Sequence, residues 1–385
     1  MKKTKVFLAG IGGYGGWYLH GLFNTDDSSF ELAGVADPFA SSSRRYEDLK
    51  EKGIPIYNAP DEFFAENSAD LAIIASPIHT HDPYIRSCLK NGSYVLCEKP
   101  VTGSLQELDD LIEVEKKSGL FVAVGFQDCF SLDVLDLKKD ILSGLFGKAL
   151  EFKLIRMNAR GTKYYNRNGW ASKLFFEGKA IMDSPVQNAN AHDLQNMFFL
   201  LGDEMGKSVE IDSLKSELWK GHPDIENYNA AAVSISTKKG VNVNFYTAHC
   251  VAGDMEGPLA EYHFEKAVVK WENWAYKVFF KDGTTKVYSE GNRGKPFKKF
   301  FDSLDAARTG IPPVCTLETA RTHTHCVELV QKFPITSVAK ENLIVTNKED
   351  GDSFYEIPGL NDAFYKAYEE SKLPSEIGFG GMNEK

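Results

Sequence analysis

The segment Leu8-Ala9-Gly10-Ile11-Gly12-Gly13-Tyr14-Gly15-Gly16 follows the apolar pair Val6-Phe7. Its Gly10-x-Gly12-x-x-Gly15 spacing constrains the fold more than any other stretch. Between a strand and a helix, the first glycine of such a pattern permits a tight turn. The second, lacking a Cβ, lets a pyrophosphate approach the backbone, and the third lets the helix lie close to the strand. The helix that follows offers unpaired N–H groups and a positive dipole end to the phosphates. Phe30–Ala36 reads as a mostly buried strand, and Asp37 follows it directly. Its position is close to the ~20-residue offset of the acid that binds the adenosine ribose. A carboxylate there accepts from both ribose hydroxyls and repels a 2′-phosphate. NAD is therefore the expected cofactor and NADP the less favoured one, although Arg44 and Arg45 follow soon after.

Strands and helices alternate through the first third of the chain. Lys5–Ala9, Phe30–Ala36, Ile54–Tyr57, Leu71–Ser76, Tyr94–Cys97 and Leu120–Phe126 read as strands. Tyr14–Phe23, Ser41–Lys52, Pro60–Glu66 and Pro83–Asn91 read as helices. Ser104 and Glu107 form a capping box for a further helix that runs to Ser118 and stops at Gly119. The expectation is an α/β unit, a Rossmann-type doubly wound parallel sheet of about six strands.

Beyond Phe126 the pattern changes. Lys148–Asn158, Val209–Leu218, Tyr228–Ser236, Val241–Cys250, Tyr262–Trp271, Ala275–Phe280 and Thr284–Tyr288 read as strands. Lys238-Lys239-Gly240 and Lys281-Asp282-Gly283 read as hairpin turns. Helices are expected over Pro185–Leu201, Pro296–Ala307 and Leu317–Lys332. This predicts an α+β domain with a large, mostly antiparallel sheet. The expected division is 1–126 for nucleotide binding and 127–385 for substrate binding and oligomerisation, with 335–385 an extension serving assembly or a lid. A large sheet with an open face calls for a cover, so a homodimer or homotetramer through that face is expected.

The net charge is −10 and no basic block occurs, which argues against nucleic acid or an anionic membrane as partner. No apolar run is long enough to span a bilayer. The basic start Met1–Lys5 and the apolar stretch after it read as a first strand, not a signal peptide. Six cysteines are scattered without CxxC pairing, as in a reduced cytoplasmic protein.

Three constellations carry candidate chemistry. Cys97-Glu98-Lys99-Pro100 ends the fifth strand, on the ligand side of such a sheet. Lys99 there is either a donor to a substrate oxygen or a surface lysine in a turn. Ser76-Pro77-Ile78-His79-Thr80-His81 follows the fourth strand; its His-x-His lacks partners at metal spacing, so no metal is expected and the loop reads as a helix cap. In Asp183-Ser184-Pro185-Val186-Gln187-Asn188-Ala189-Asn190-Ala191-His192, Ser184 is the expected N-cap and Gln187 its capping-box partner. On one continuous helix Asn188, His192 and Gln195 form a polar stripe, opposite Leu194, Met197, Phe198 and Leu201. A neutral His192 can take a hydroxyl proton while hydride leaves the same carbon. Asp183 reads as part of the cap.

Tyr164-Tyr165-Asn166-Arg167-Asn168-Gly169-Trp170 mixes aromatic faces with donors and suits a sugar, with Tyr165, Arg167 and Trp170 as substrate candidates. A well-packed loop is the alternative. Gln127, just past the sixth strand, is a further cofactor candidate. Trp271, Trp274 and Tyr276 read as sheet packing. His323 and His325 diverge on a helix and do not form a joint site.

Together these pieces resemble the Gfo/Idh/MocA family of glucose–fructose oxidoreductases and inositol dehydrogenases, over roughly residues 4 to 335. The Gly10–Gly15 turn, the Ser76-Pro77…His81 loop and Cys97-Glu98-Lys99-Pro100 stand in the family's order and spacing. The resemblance implies NAD or NADP, a sugar, inositol or polyol substrate, a catalytic Lys99, and Glu98 and His81 near the nicotinamide ribose. It implies a catalytic histidine matched by His192. Four residues earlier, where many members carry aspartate, this chain has Asn188, which cannot accept a proton. The expected function is NAD(H)-dependent hydride transfer to or from a sugar or polyol, with Asn188 orienting Lys99 or His192. The alternatives are an NAD-retaining glycosidase or lyase acting by transient oxidation, and a non-enzymatic dinucleotide-binding regulator.

Overall fold

The computed structural model describes residues 3–255, 257–289 and 297–380. The chain forms two compact units: Met1–Ser131 with Asn292–Arg321, and Leu132–Gly291 with Thr322–Lys385.

The first unit holds a parallel sheet of Thr4–Ala9 (β1), Phe30–Ala36 (β2), Ile56–Tyr57 (β3), Leu71–Ile74 (β4), Tyr94–Cys97 (β5) and Val122–Val124 (β6). Their order is β3-β2-β1-β4-β5-β6. The chain reverses its winding between β1 and β4, where such sheets open a ligand crevice at the strand C-termini. The intervening helices are Gly13–Phe23 (α1), Tyr46–Glu51 (α2), Pro60–Glu66 (α3), His81–Lys90 (α4) and Leu105–Ser118 (α5). β4 is buried at every residue, as a strand covered on both faces must be. The cap of α5 is as expected: Ser104 accepts from the Glu107 N–H, and Gly119 ends the helix in the left-handed region.

One expected helix is broken. Ser41–Lys52 begins as a 3₁₀ turn at Ala40–Ser42 and resumes as α2. The break is pinned from outside, because the Ser43 hydroxyl donates to the Ile11 carbonyl at 2.9 Å. A helix returning from late in the chain, Lys298–Thr309, buries Phe300 and Leu304 in this unit's core with Val6, Leu8 and Ile73. The expected start of that helix at Pro296 lies outside the described residues.

The second unit carries Ala149–Met157 (β7), the small pair Phe175–Phe176 (β8) and Lys179–Ala180 (β9), Ile211–Lys220 (β10), Ala230–Thr237 (β11), Asn242–Ala248 (β12), Leu259–Phe264 (β13), Ala267–Glu272 (β14), Ala275–Phe280 (β15), Thr285–Tyr288 (β16) and Ile335–Ser337 (β17). Apart from β8 and β9 these form one nine-stranded sheet, β16-β15-β14-β13-β7-β12-β11-β10-β17. Only β7–β12 and β10–β17 pair in parallel. Its helices include Leu132–Leu142 (α6), Thr162–Tyr165 (α7) and Ala191–Leu201 (α8).

Three sequence expectations need correction here. Tyr262–Trp271 is not one strand: β13 turns back through Glu265-Lys266 to pair with β14. Trp274 does not pack in the sheet; it is 69% exposed in a turn where Asn273 and Trp274 both have positive φ, 51° and 62°. Pro185–Leu201 is not one α-helix. It opens as a π turn over Pro185–Ala189, closed by the Asn190 N–H on the Pro185 carbonyl at 2.9 Å, and only then becomes α8. The wider turn changes the angular register between Asn188 and α8, so the polar stripe dissolves. Gln195 lies fully buried and donates to the Ser208 hydroxyl at 3.0 Å.

The C-terminal segment is a sheet cover. Strands Ile344–Asn347 (β18) and Ser353–Glu356 (β19) form a hairpin. The tail helix Leu360–Glu370 then buries Leu360, Phe364 and Ala367 in a cluster with Ile155, Met157, Trp219, Ala232, Tyr246 and Ala248. Alternation along β12 sorts its side chains: Tyr246 donates to the Ala367 carbonyl at 3.0 Å, and Thr247, on the other face, accepts from Asn190 at 2.7 Å. The face expected to need a second copy is thus covered over β7, β12, β11 and β10 by the chain itself. Towards β13 and β14 that face carries Lys153 and Lys270 facing Glu261 at 3.7 and 2.7 Å, with Leu259 exposed beside them.

Candidate functional site

The glycine turn behaves as its spacing requires. Gly10 has φ +85°, and a Cβ there would stand 2.6 Å from the Ser76 nitrogen, so only glycine fits. A Cβ on Gly15 would run into the Gly10 carbonyl, which is how closely α1 lies on β1. At Gly12 nothing stands within 4 Å of where a Cβ would be. Gly12 is the N-cap of α1 and no side chain caps this end. Open backbone donors beside an empty approach fit a pyrophosphate. The surrounding cleft, about 630 Å³, is lined by Ile11, Gly12, Gly13, Trp17, Ser43 and Arg45 among others.

Asp37 closes this cradle on the β2 side. Its Oδ2 accepts from the Ile11 N–H at 3.0 Å and its Oδ1 from the Phe39 N–H at 2.8 Å. The carboxylate is thereby aimed and keeps lone pairs for ribose hydroxyls. Arg44 and Arg45 both line the cleft. Arg45 is engaged, pairing with Asp48 at 3.0 Å and reaching His20 Nδ1 at 3.1 Å.

Past β4, Ser76 and Thr80 share a hydroxyl hydrogen bond of 2.6 Å, and Thr80 donates to the Pro77 carbonyl. His81 is buried. Its Nδ1 faces the Pro100 and Val101 carbonyls at 3.0 and 3.2 Å, and its Nε2 faces Ser76 O at 2.9 Å. Burial lowers its pKa, while the Ser76, Pro100 and Val101 carbonyls and Glu98 work the other way. With both ring nitrogens against backbone oxygens, His81 braces the Ser76 loop to the segment after Lys99. Among the described residues no cluster of His, Cys, Asp or Glu is arranged to hold a metal. The six cysteines are free and buried.

Lys99 stands half-buried at the β5 end, followed by a cis peptide bond to Pro100. Glu98, beside it, turns inward. Its Oε1 accepts from Tyr18 at 2.7 Å and from Lys299 at 2.5 Å. Lys299 comes from the returning helix and is 1% exposed. It also donates to the Gly125 carbonyl and to the Tyr14 hydroxyl, both at 3.3 Å, and Tyr14 in turn donates to Gln127 at 3.4 Å. Three expected cofactor residues, Tyr14, Glu98 and Gln127, therefore belong to one network whose centre, Lys299, the sequence reading missed.

In the second unit, the Ser184 hydroxyl accepts from the Gln187 N–H at 3.2 Å, as expected of an N-cap. His323 supports the turn by facing the Val186 carbonyl at 3.0 Å. From Pro185 to Leu201 every residue is buried except Asn188, Ala189 and His192, which are half-open. Asp183, read from sequence as a cap, is a buried hub at 4% exposure. It accepts from Ser172 N–H at 2.6 Å and from Asn188 Nδ2 at 2.9 Å, and pairs with Arg167 at 3.4 Å. Only the amide nitrogen of Asn188 can face a carboxylate, so its carbonyl oxygen points away as an acceptor.

The aromatic loop divides. The Arg167 guanidinium stacks over Tyr164 at 4.0 Å and Trp170 at 5.1 Å, and Arg160 lies 5.4 Å from Tyr164. Tyr165 instead is buried. Its hydroxyl lies 3.4 Å from His249 Nδ1 and accepts from Asn229 at 3.4 Å. Burial, then Arg160 and Arg167, lower the His249 pKa to about 3. Tyr165 is thus enclosed, whereas Arg167 is exposed and Trp170 half-exposed.

Fold and site together define a two-unit protein with a dinucleotide-binding domain of the Rossmann type. Residues 4–126 match the model of the Gfo/Idh/MocA oxidoreductase family, described as an NAD-binding Rossmann fold. That match lies within the first third of the chain. It is 26% identical over 206 residues to an inositol 2-dehydrogenase of Rubrobacter xylanophilus, a match covering 53% of this chain and 54% of that one. With an inositol 2-dehydrogenase of Mycolicibacterium smegmatis it shares 29% over 264 residues, 67% of this chain and 70% of that one. The chain thus spans about half the length of the first relative. Among solved structures it is similar to an oxidoreductase of Thermotoga maritima, with TM-score 0.69 and 17% identity over 86% of this chain and 96% of that one. It is also similar to a UDP-N-acetylglucosamine 3-dehydrogenase of Acidithiobacillus ferrooxidans, with TM-score 0.65 and 17% identity over 86% and 97%. These two show likeness of fold. Among the described residues no helix is long and apolar enough to cross a membrane.

Proposed function

We propose that the chain is an NAD(H)-dependent oxidoreductase acting on the CH–OH group of a sugar, inositol or related polyol. The cradle at Gly10–Gly15 carries this reading: an uncapped helix start with no obstruction at Gly12, flanked by an aimed Asp37. The α1 amides hold the pyrophosphate and Asp37 takes the adenosine ribose, which favours NAD over NADP. Bound there, the dinucleotide supplies a carbon that accepts or returns hydride. Lys99 donates to the substrate oxygen and stabilises its developing negative charge. His192 takes the hydroxyl proton. Asn188, held by Asp183, offers its carbonyl oxygen to orient a hydroxyl or an imidazole N–H. Arg167 and Trp170 supply donors and an aromatic face for the sugar.

Lys99→Ala is expected to lower turnover by ~10²-fold or more while NAD binding persists. Nicotinamide absorbance, followed over a polyol and sugar panel with NAD and then NADP, measures this. Unchanged turnover removes Lys99 from the chemistry. The same assay separates the second reading, favoured by Asn188 standing where an acid would relay the proton. A glycosidase or lyase that keeps its NAD would form product with no net absorbance change.

A further inference from the structure

We propose that Lys299 is a positioning residue for the dinucleotide, acting through Tyr14 on the glycine turn. The inference rests on the functional reading above and adds a residue from the far end of the chain to it.

Lys299 is an ammonium with three protons and three acceptors: Glu98 Oε1, the Gly125 carbonyl and the Tyr14 hydroxyl. It is buried, and its charge also faces the rings of Tyr14 and Tyr18, at 4.6 and 5.6 Å. Taking an ammonium out of water is costly unless every proton is met, and here every proton is met. A hydrophobic residue would fill such a place more simply if filling were all that was needed. The partners of Lys299 are not scattered. Tyr14 stands inside the Gly10–Gly15 turn, Glu98 immediately precedes Lys99, and Gly125 stands two residues before Gln127. One side chain thus ties the start of α1 to the C-terminal ends of β5 and β6, the elements that border the crevice.

The link to Tyr14 is the part that reaches the ligand. Tyr14 is 38% exposed, and its hydroxyl is held between Lys299 as donor and Gln127 as acceptor. With the hydroxyl fixed, the phenol ring and the turn backbone beside it take one orientation. Without it, the turn must be ordered when the dinucleotide binds, which weakens binding. The Glu98 link serves a different end: it neutralises a buried carboxylate and thereby holds the unit together.

These two roles separate experimentally. Lys299→Met is expected to lower the melting temperature and to raise the Kd for NADH about tenfold, the worth of one charge-assisted hydrogen bond. Glu98→Gln/Lys299→Met, which leaves no unpaired charge, is expected to recover most of the stability and none of the affinity. Tyr14→Phe is expected to reproduce the affinity loss with the fold intact. Binding is read by NADH fluorescence and stability by thermal unfolding. If Tyr14→Phe binds as tightly as the parent, or the double variant regains stability and affinity together, Lys299 is structural only and the proposal fails. If the parent chain itself binds no NADH, the functional reading and this one fall together, an outcome distinct from both.

Discussion

Asp183 and Asn188 are five positions apart, yet they behave as one group. The carboxylate accepts from Ser172, Asn188 and Arg167, and it is nearly sealed from water. Asp183→Asn keeps the volume but turns one acceptor oxygen into a donor facing donors. The expected cost is about 2–4 kcal/mol of stability, with a fall in turnover because Asn188 loses its anchor. Urea unfolding and steady-state kinetics check this; an unchanged variant in both would show that Asn188 is held by other contacts. Residue scale is also where sequence reasoning is weakest. Lys299 meets Glu98 across 201 positions. On its own helix it falls away from the Phe300/Leu304 stripe and reads as solvent-facing. The structure buries a second stripe instead, Lys299, Ser303 and Ala306, whose small members let this face pack closely. Asp183 was visible but read locally, since nothing in the chain announces that three donors converge on it.

At the scale of elements the two units differ in how plainly they can be read. In the first, each strand is bounded by a glycine, a cap or a proline. The strands Phe30–Ala36 and Tyr94–Cys97 and the helix Pro60–Glu66 fall where expected. In the second, β13 and β14 are joined by Glu265-Lys266, a turn with no Gly, Asn or Pro, so hydrophobic pattern alone runs them together. The π turn before α8 leaves no compositional mark either. Its widening is enforced by what surrounds it, including the His323 contact to Val186. The tail helix makes a testable element. Phe364 packs between Trp219 and Tyr246, with ring centroids 5.7 and 6.2 Å away. Phe364→Ala is expected to cost about 3–5 kcal/mol. Loss of tail protection in hydrogen exchange, ahead of the first unit, would accompany it; uniform protection would mean the tail contributes little.

For the molecule as a whole, acid is the informative stress. His81, His222 and His249 all have folded pKa values below the ordinary 6.5, in each case first because of burial. They are neutral when folded and bind protons once unfolded. The stability these three contribute is therefore full above pH 6.5 and falls as the pH drops through it towards the folded values, about 3 for His249. Between pH 7 and 5 these histidines make unfolding take up protons, offset in part by Glu115, whose carboxyl burial pushes up to about 7 and which releases its proton on unfolding; the balance is read as the slope of unfolding free energy against pH. A flat profile over that window would contradict it, and His249→Gln should make the slope shallower. The C-terminal cover has a further consequence at this scale. A sheet face closed by a second copy is closed only above some concentration. One closed by a tethered segment is closed at a fixed effective concentration, set by the length of the connecting chain. Dilution, which empties an interface between molecules, leaves this one filled.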